Sequence, residues 1–245
     1  MATKRLRIFA GPNGSGKSTL LKIVSERGIH LGVYINADDL KVLINKEHVL
    51  PFDNFGLILD LNDLKDCFKD SSLFVQAGGD MLLSEIKQVG NQVLFKNDVN
   101  DYFTSFLSDY LRSCLLYVCN KFTFETVMSH PSKLDFIRKA KEQGFKIYLY
   151  FVALNDPEMN KGRVETRVLQ GGHNVPAEKI VQRYEKTMGL LLEVIRLTDR
   201  AFLFDNSYSE PKLFATVEAN EILIEDSIEY IPGWFQTYDL NKLTE

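Results

Sequence analysis

Apolar runs of strand length alternate along this chain with longer stretches of helical spacing. "RLRIFAG" (5–11) is a short apolar run, and "KSTLLKIVSERG" (17–28) follows it with helical spacing and a closing glycine. "GVYINADD" (32–39) reads as a second strand running into acids, and "KFTFET" (121–126) as a third. "FKIYLYFVAL" (145–154) is a fourth, apolar enough to be buried on both faces, and "AFLFDNS" (201–207) a fifth. Between them lie a helix over 131–144 stopped by Gly144 and a long amphipathic helix over 177–199. For the latter, Asn174 is the expected cap, Pro176 sits in the first turn, and Ile180, Tyr184, Leu191 and Ile195 mark the packed face.

Residues 40–100 carry mostly helical spacing, interrupted by turn signals at "LPFDN", "VQAGGD" and "FKNDVND". A helix over 101–119 follows, with Phe103, Phe106, Leu107, Tyr110 and Leu111 on one face. "PKLFATVEANEILIED" (211–226) reads as a hairpin turning at Glu218–Asn220. The single tryptophan, Trp234, is expected to pack in the core or at its rim.

"GPNGSGKS" (11–18) joins the first strand to the first helix and matches G-x-x-x-x-G-K-[ST]. Gly14 and Gly16 permit backbone shapes that turn several N–H groups into one hollow, and the helix beginning near Lys17 adds its positive end. The pattern assigns Asn13, Gly14, Ser15, Gly16, Lys17, Ser18 and Thr19 to nucleotide phosphates, ATP by preference. Lys17 reaches the β- and γ-phosphates, and the Ser18 hydroxyl joins the shell of a Mg²⁺ ion. The expected fold is a P-loop NTPase: a three-layer α/β/α domain over 1–245, with a mostly parallel five-stranded sheet of kinase type. A helical insertion over about 41–119, a lid over about 156–175 and a C-terminal hairpin complete it.

Net charge is −4, which lacks the basic surplus of a protein built to grip nucleic acid. Cys67, Cys114 and Cys119 are odd in number and have no metal-site spacing, as in a cytosolic protein with reduced thiols. Lys4, Arg5 and Arg7 lead directly into the first strand, so no signal peptide is expected. "FLSDYLRSCLLYVC" (106–119) is too short and too charged to span a membrane. The expected setting is the cytoplasm, with no nucleic-acid or membrane partner.

Ligands in such sheets sit beyond the carboxyl ends of the strands, where this chain carries acids. In kinase-type sheets the five strands run in the order 2-3-1-4-5, so Asp38 stands about 10 Å from the loop's strand, two strand spacings away. That gap suits a phosphoryl group in transfer and an acceptor hydroxyl. Asp38 is the candidate general base or Mg²⁺-orienting acid, with helix capping as the structural alternative; Asp39 reads as the cap. Glu125 closes an apolar strand and either orients Mg²⁺ through water or bonds substrate hydroxyls; Thr126 goes with it. Arg163 and Arg167, four apart on one helical face, suit a developing phosphoryl charge, with Gly171-Gly172 as a hinge beside them. Pairing with Glu158 or Glu165 on a solvated face is their structural alternative. His173 is a further candidate phosphate contact, and His130 reads as a loop residue.

The ordered set "GPNGSGKST", "INADDL", "FETVMSH", "RVETRVLQGGHNVP", "RY" and "DNS" resembles the zeta-toxin-like P-loop kinases, including their stand-alone bacterial relatives. The resemblance spans 5–40 and 121–207 and leaves 41–100 uncovered. It implies a kinase fold and ATP-dependent phosphorylation; in the toxins the acceptor is the amino-sugar of a uridine-diphosphate sugar such as UDP-N-acetylglucosamine. It places Asp38 at the base, Glu125 at the substrate-contacting acid and Arg163 or Arg167 at the first lid arginine, and leaves room for an antitoxin-like partner. The second lid arginine of the toxins falls near His173 here, and their glycine-rich substrate turn falls on Thr126-Val127-Met128. ATP handling therefore carries over more fully than the sugar. A kinase acting on a small-molecule hydroxyl is the leading expectation; a nucleotide-dependent regulatory or interaction protein, in which binding or hydrolysis switches the helical insert 41–119 and no small molecule is the acceptor, is the alternative.

Overall fold

The computed structural model describes residues 3–172, 174–219, 221–226 and 230–238. In chain order the elements are β1 (Arg5–Ala10), α1 (Lys17–Glu26), β2 (Val33–Ile35), α2 (Ala37–Glu47), β3 (Val49–Pro51), a 3₁₀ turn (Phe52–Phe55), α3 (Leu61–Lys69), α4 (Gly79–Glu85), β4 (Ile86–Val89), β5 (Gln92–Phe95), α5 (Asp101–Val118) and β6 (Lys121–Thr126). Then come α6 (Ser132–Glu142), β7 (Lys146–Ala153), α7 (Pro157–Leu169), α8 (Ala177–Leu197), β8 (Arg200–Asp205), β9 (Lys212–Glu218), β10 (Glu221–Ile224) and α9 (Gly233–Thr237).

The main sheet has seven strands in the order β10-β9-β8-β7-β1-β6-β2. Its five strands β2-β6-β1-β7-β8 are those expected from the sequence, in the kinase-type order. The expected count of five is corrected to seven, because the C-terminal hairpin does not stand apart. β9 pairs antiparallel with β8, and β10 with β9. β9 buries Phe214, Ala215, Thr216 and Val217, and pairing with β8 satisfies the backbone of an otherwise open edge. Glu218 and Ala219 lie at the expected turn, and Asn220 lies outside the described residues. Among the described residues, no helix is long and apolar enough to cross a membrane.

The chain divides into two compact units, Met1–Gly32 with Glu125–Glu245, and Val33–Phe124. In the first, β1, β7 and β8 are parallel. Phe9, Leu20, Val24, Tyr150 and Val152 form a core beneath α1, with the Phe9 and Tyr150 rings stacked at 4.6 Å. Trp234 is 1% exposed, between Phe151 and Phe214. α8 buries Ile180, Tyr184, Leu191 and Ile195 as its spacing predicts. Its cap position is Pro176, whose carbonyl accepts from Ile180 N, and not the expected Asn174. His130 Nδ1 accepts from Ser132 N at 3.2 Å in the loop before α6, whose cap position is Pro131.

In the second unit β2 pairs parallel with β6, and α2 packs on α5. Phe68 of α3 lies among Phe74, Phe103 and Phe106, with ring centroids 4.9–5.2 Å apart. The fully buried Arg112 guanidinium lies over the Phe124 ring at 4.3 Å and pairs with Asp109; burial lowers its pKa to about 9. The largely helical pattern of 40–100 is joined by a three-stranded antiparallel sheet, β3-β5-β4, which the helical spacing does not predict. Its available signal was Gly90-Asn91, a two-residue hairpin turn with Gly90 at φ 58°. α2 starts at Ala37, earlier than the sequence suggested. Its cap is Asn36, whose Oδ1 accepts from Asp38 N at 2.9 Å, so the expected capping by Asp39 is corrected. The three cysteines are free thiols.

Candidate phosphate-binding site

β1 delivers a buried apolar strand to Gly11, and α1 begins at Lys17, so the loop between them turns back within a few residues. Three of its glycines are required by close approach. A Cβ on Gly11 would stand 2.0 Å from Val152 O, on Gly14 2.6 Å from Asn160 O, and on Gly16 2.3 Å from Asn206 Nδ2. Gly14 and Gly16 also have φ of 75° and 99°, a region that favours glycine. Ser15 N donates to Pro12 O at 3.2 Å, and Lys17 Nζ donates to the same carbonyl at 3.0 Å, folding the buried lysine back over the loop.

Two asparagines hold the outer side of the loop. Asn160 Nδ2 of α7 donates to Asn13 O at 2.6 Å, and Asn206 Nδ2, just beyond β8, donates to Ser15 O at 2.8 Å. Sequence reading did not single out either as a site residue; the "DNS" triplet after the fifth strand was the available signal for Asn206. The buried Asn13 Oδ1 and Ser15 Oγ have no hydrogen-bond partner among the described residues.

Ser18 Oγ donates to both Glu125 carboxylate oxygens, at 3.0 and 3.2 Å. Each comes from the carboxyl end of a strand or the helix start beside it. Thr126 Oγ1 accepts from Met128 N at 3.1 Å and closes the turn after β6. Met128 is buried with φ 61°, a left-handed conformation unusual for its side chain. Thr187 Oγ1 of α8 donates to Val127 O at 2.8 Å and ties that turn down.

α7 occupies most of the expected lid, capped by Asp156, whose Oδ1 accepts from Glu158 N. Arg163 Nη2 donates to Asn206 O at 2.7 Å and to Tyr208 O at 3.1 Å. Arg167 lies a turn further on, packed against Gly172, where a Cβ would meet its Cγ at 2.6 Å. Gly171, with φ 85°, and Gly172 close the helix, Gly172 N donating to Arg167 O. His173 lies outside the described residues. Asp38 belongs to the Val33–Phe124 unit, exposed in the first turn of α2.

These residues fit a phosphate group and a hard cation. The loop combines a helix N-terminus, two glycines in left-handed conformation, a buried lysine and unpaired buried oxygens. Ser18 and Glu125 supply the oxygens that Mg²⁺ prefers. Among the described residues no group of three or more His, Cys, Asp or Glu side chains is placed to hold a metal.

Fold and loop together define a P-loop α/β protein of kinase type, the fold that the resemblance to zeta-toxin-like P-loop kinases implies. The chain is 33% identical over 176 residues to an uncharacterized protein of Haemophilus influenzae, across 72% of this chain and 89% of that one, and it belongs to the same family. No family model matches it. Among solved structures it is similar to a chain of the AvrRxo1-ORF1:-ORF2 complex, with TM-scores of 0.58 in native crystals and 0.56 in crystals with ATP. Identity there is 16% over 99% of this chain, a likeness of fold, and this chain spans 64% of the length of that one.

Proposed function

We propose that this protein is an ATP-dependent phosphotransferase that moves the γ-phosphoryl group to a hydroxyl of a small molecule. The observation that carries the reading is the Ser18–Glu125 pair beside the glycine loop. A hydroxyl and a carboxylate meeting beside the loop supply the ligand types that the metal of a bound nucleotide takes, which supports the reading. The crystallisation of AvrRxo1-ORF1:-ORF2 with ATP agrees with it.

In this reading Asn13 to Thr19 hold the triphosphate, and Lys17 neutralises its outer phosphates. Ser18 would hold Mg²⁺ and Glu125 would orient it, and the bound ion would supply positive charge to the phosphate oxygens. Asp38 takes the acceptor's proton, and Arg167 meets the negative charge that develops on the phosphoryl group. Glu125 and Thr126 border the acceptor, which the zeta-toxin resemblance makes a nucleotide sugar such as UDP-N-acetylglucosamine. The two-component AvrRxo1 complex supports a protein partner as well.

The test is product analysis. Protein, Mg-ATP and a metabolite extract are incubated, and mass spectrometry looks for a new phosphorylated species. Asp38→Asn is expected to keep ATP binding and lose transfer; full transfer in that variant overturns the base assignment. ATP turnover that responds to a protein partner while no metabolite gains phosphate favours the switch instead.

A further inference from the structure

A loop that turns its N–H groups inward toward phosphate turns carbonyls outward, and a buried carbonyl needs a donor. Asn206 Nδ2 supplies it for Ser15 O. Asn206 is 4% exposed, and its own placement is set from three sides. Its N–H donates to Ala153 O at 2.9 Å, and its carbonyl accepts from Arg163 Nη2 at 2.7 Å. The preceding residue, Asp205, is buried and accepts from Ser207 Oγ, Tyr230 Oη and Trp234 Nε1. The amide is held so close to the loop that a methyl group on Gly16 would fall 2.3 Å from Nδ2.

We propose that Asn206 is a positioning residue for the phosphate loop, and that Arg163 acts on that loop through Asn206 and not by touching phosphate. Its Nη2 donates to the carbonyls of Asn206 and Tyr208, so it fixes the 206–208 segment, and the Asn206 amide passes that order to Ser15. The consequence for ligand affinity rests on the nucleotide reading above; the relay itself does not.

The chemistry discriminates between a relay and mere packing. Asn206→Asp keeps the shape but sets an acceptor against the Ser15 carbonyl, so it should harm the loop more than Asn206→Ala, which only removes the bond. Arg163→Met frees the segment, and its effect should vanish once the amide that transmits it is gone.

Two readouts on the full chain decide it: hydrogen–deuterium exchange of the 13–18 amides without ligand, and fluorescence titration with MANT-ATP. Expected are faster loop exchange in all three single variants and roughly five- to tenfold weaker binding for Asn206→Ala. Asn206→Asp should bind more weakly still, and Arg163→Met should add nothing in the Asn206→Ala background. Wild-type affinity and exchange in Asn206→Asp overturn the role of Asn206. A full additional loss on adding Arg163→Met to Asn206→Ala overturns the relay and returns Arg163 to the phosphates. If the wild type fails to bind MANT-ATP, the nucleotide reading falls and the exchange data alone decide the relay.

Discussion

Ser18 Oγ and the Glu125 carboxylate, 107 positions apart in the chain, meet at 3.0 and 3.2 Å. The first follows a glycine loop and the second ends a strand, so only the sheet brings them together. If Glu125 orients the metal, Glu125→Gln should keep ATP binding in the absence of Mg²⁺. It should lower Mg²⁺-dependent turnover by roughly a hundredfold, the scale of removing one group that stabilises transition-state charge. Turnover measured across a Mg²⁺ titration checks this, and unchanged turnover at every concentration removes Glu125 from the site.

Gly16→Ala should abolish nucleotide binding. The added Cβ meets Asn206 Nδ2 at 2.3 Å, and φ of 99° is strained for alanine. The strain alone is on the order of 1–3 kcal/mol, so a lower melting temperature should accompany the lost binding in calorimetry.

Trp234 is the chain's single tryptophan and is buried against Phe151, Phe214 and Phe235. Trp234→Ala should destabilise the fold by about 3–5 kcal/mol through lost burial and the cavity left behind. Urea unfolding followed by circular dichroism measures it. In the wild type, tryptophan emission should shift to the red on unfolding.

Tyr110 and Tyr184 have pKa values raised above the ordinary 10, both chiefly by burial. Tyr110 also donates to Asp63 Oδ2 at 2.8 Å, and Tyr184 to Leu154 O at 2.7 Å. Their folded forms hold a proton that the unfolded chain gives up near pH 10. Their contribution is therefore complete below pH 10 and is lost as pH rises above it, by up to about 1.4 kcal/mol per pH unit for each. Denaturant midpoints between pH 8 and 11 should fall only in the upper part of that range. Tyr184→Phe should flatten the fall, and an unaltered slope counts against Tyr184 as a source.

The β1–loop–α1 unit was legible because its signals are local: an apolar run, glycines where the backbone must turn left-handed, and a helix with regular spacing. The faces of α5 and α8 were legible for the same reason. The β3-β5-β4 sheet was missed because short strands with one turn signal give little periodicity beside the surrounding helical spacing. The capping of α2 was missed because Asn36, Asp38 and Asp39 are all competent caps, and only the backbone path selects Asn36.

The alternation of elements predicted a parallel sheet, but its strand order came from analogy with kinase-type sheets, and the extension by β9 and β10 was not expected, since pairing with β8 is a long-range choice. By itself, then, the chain determined the phosphate loop, the parallel α/β framework and the acids at strand ends, because spacing along the backbone dictates those. The tertiary structure decided which side chains reach the loop. Asn160 and Asn206 serve it from residues 147 and 191 positions away, and Arg163 turns toward carbonyls, because hydrogen bonds over such separations exist only once the sheet has placed their donors and acceptors together.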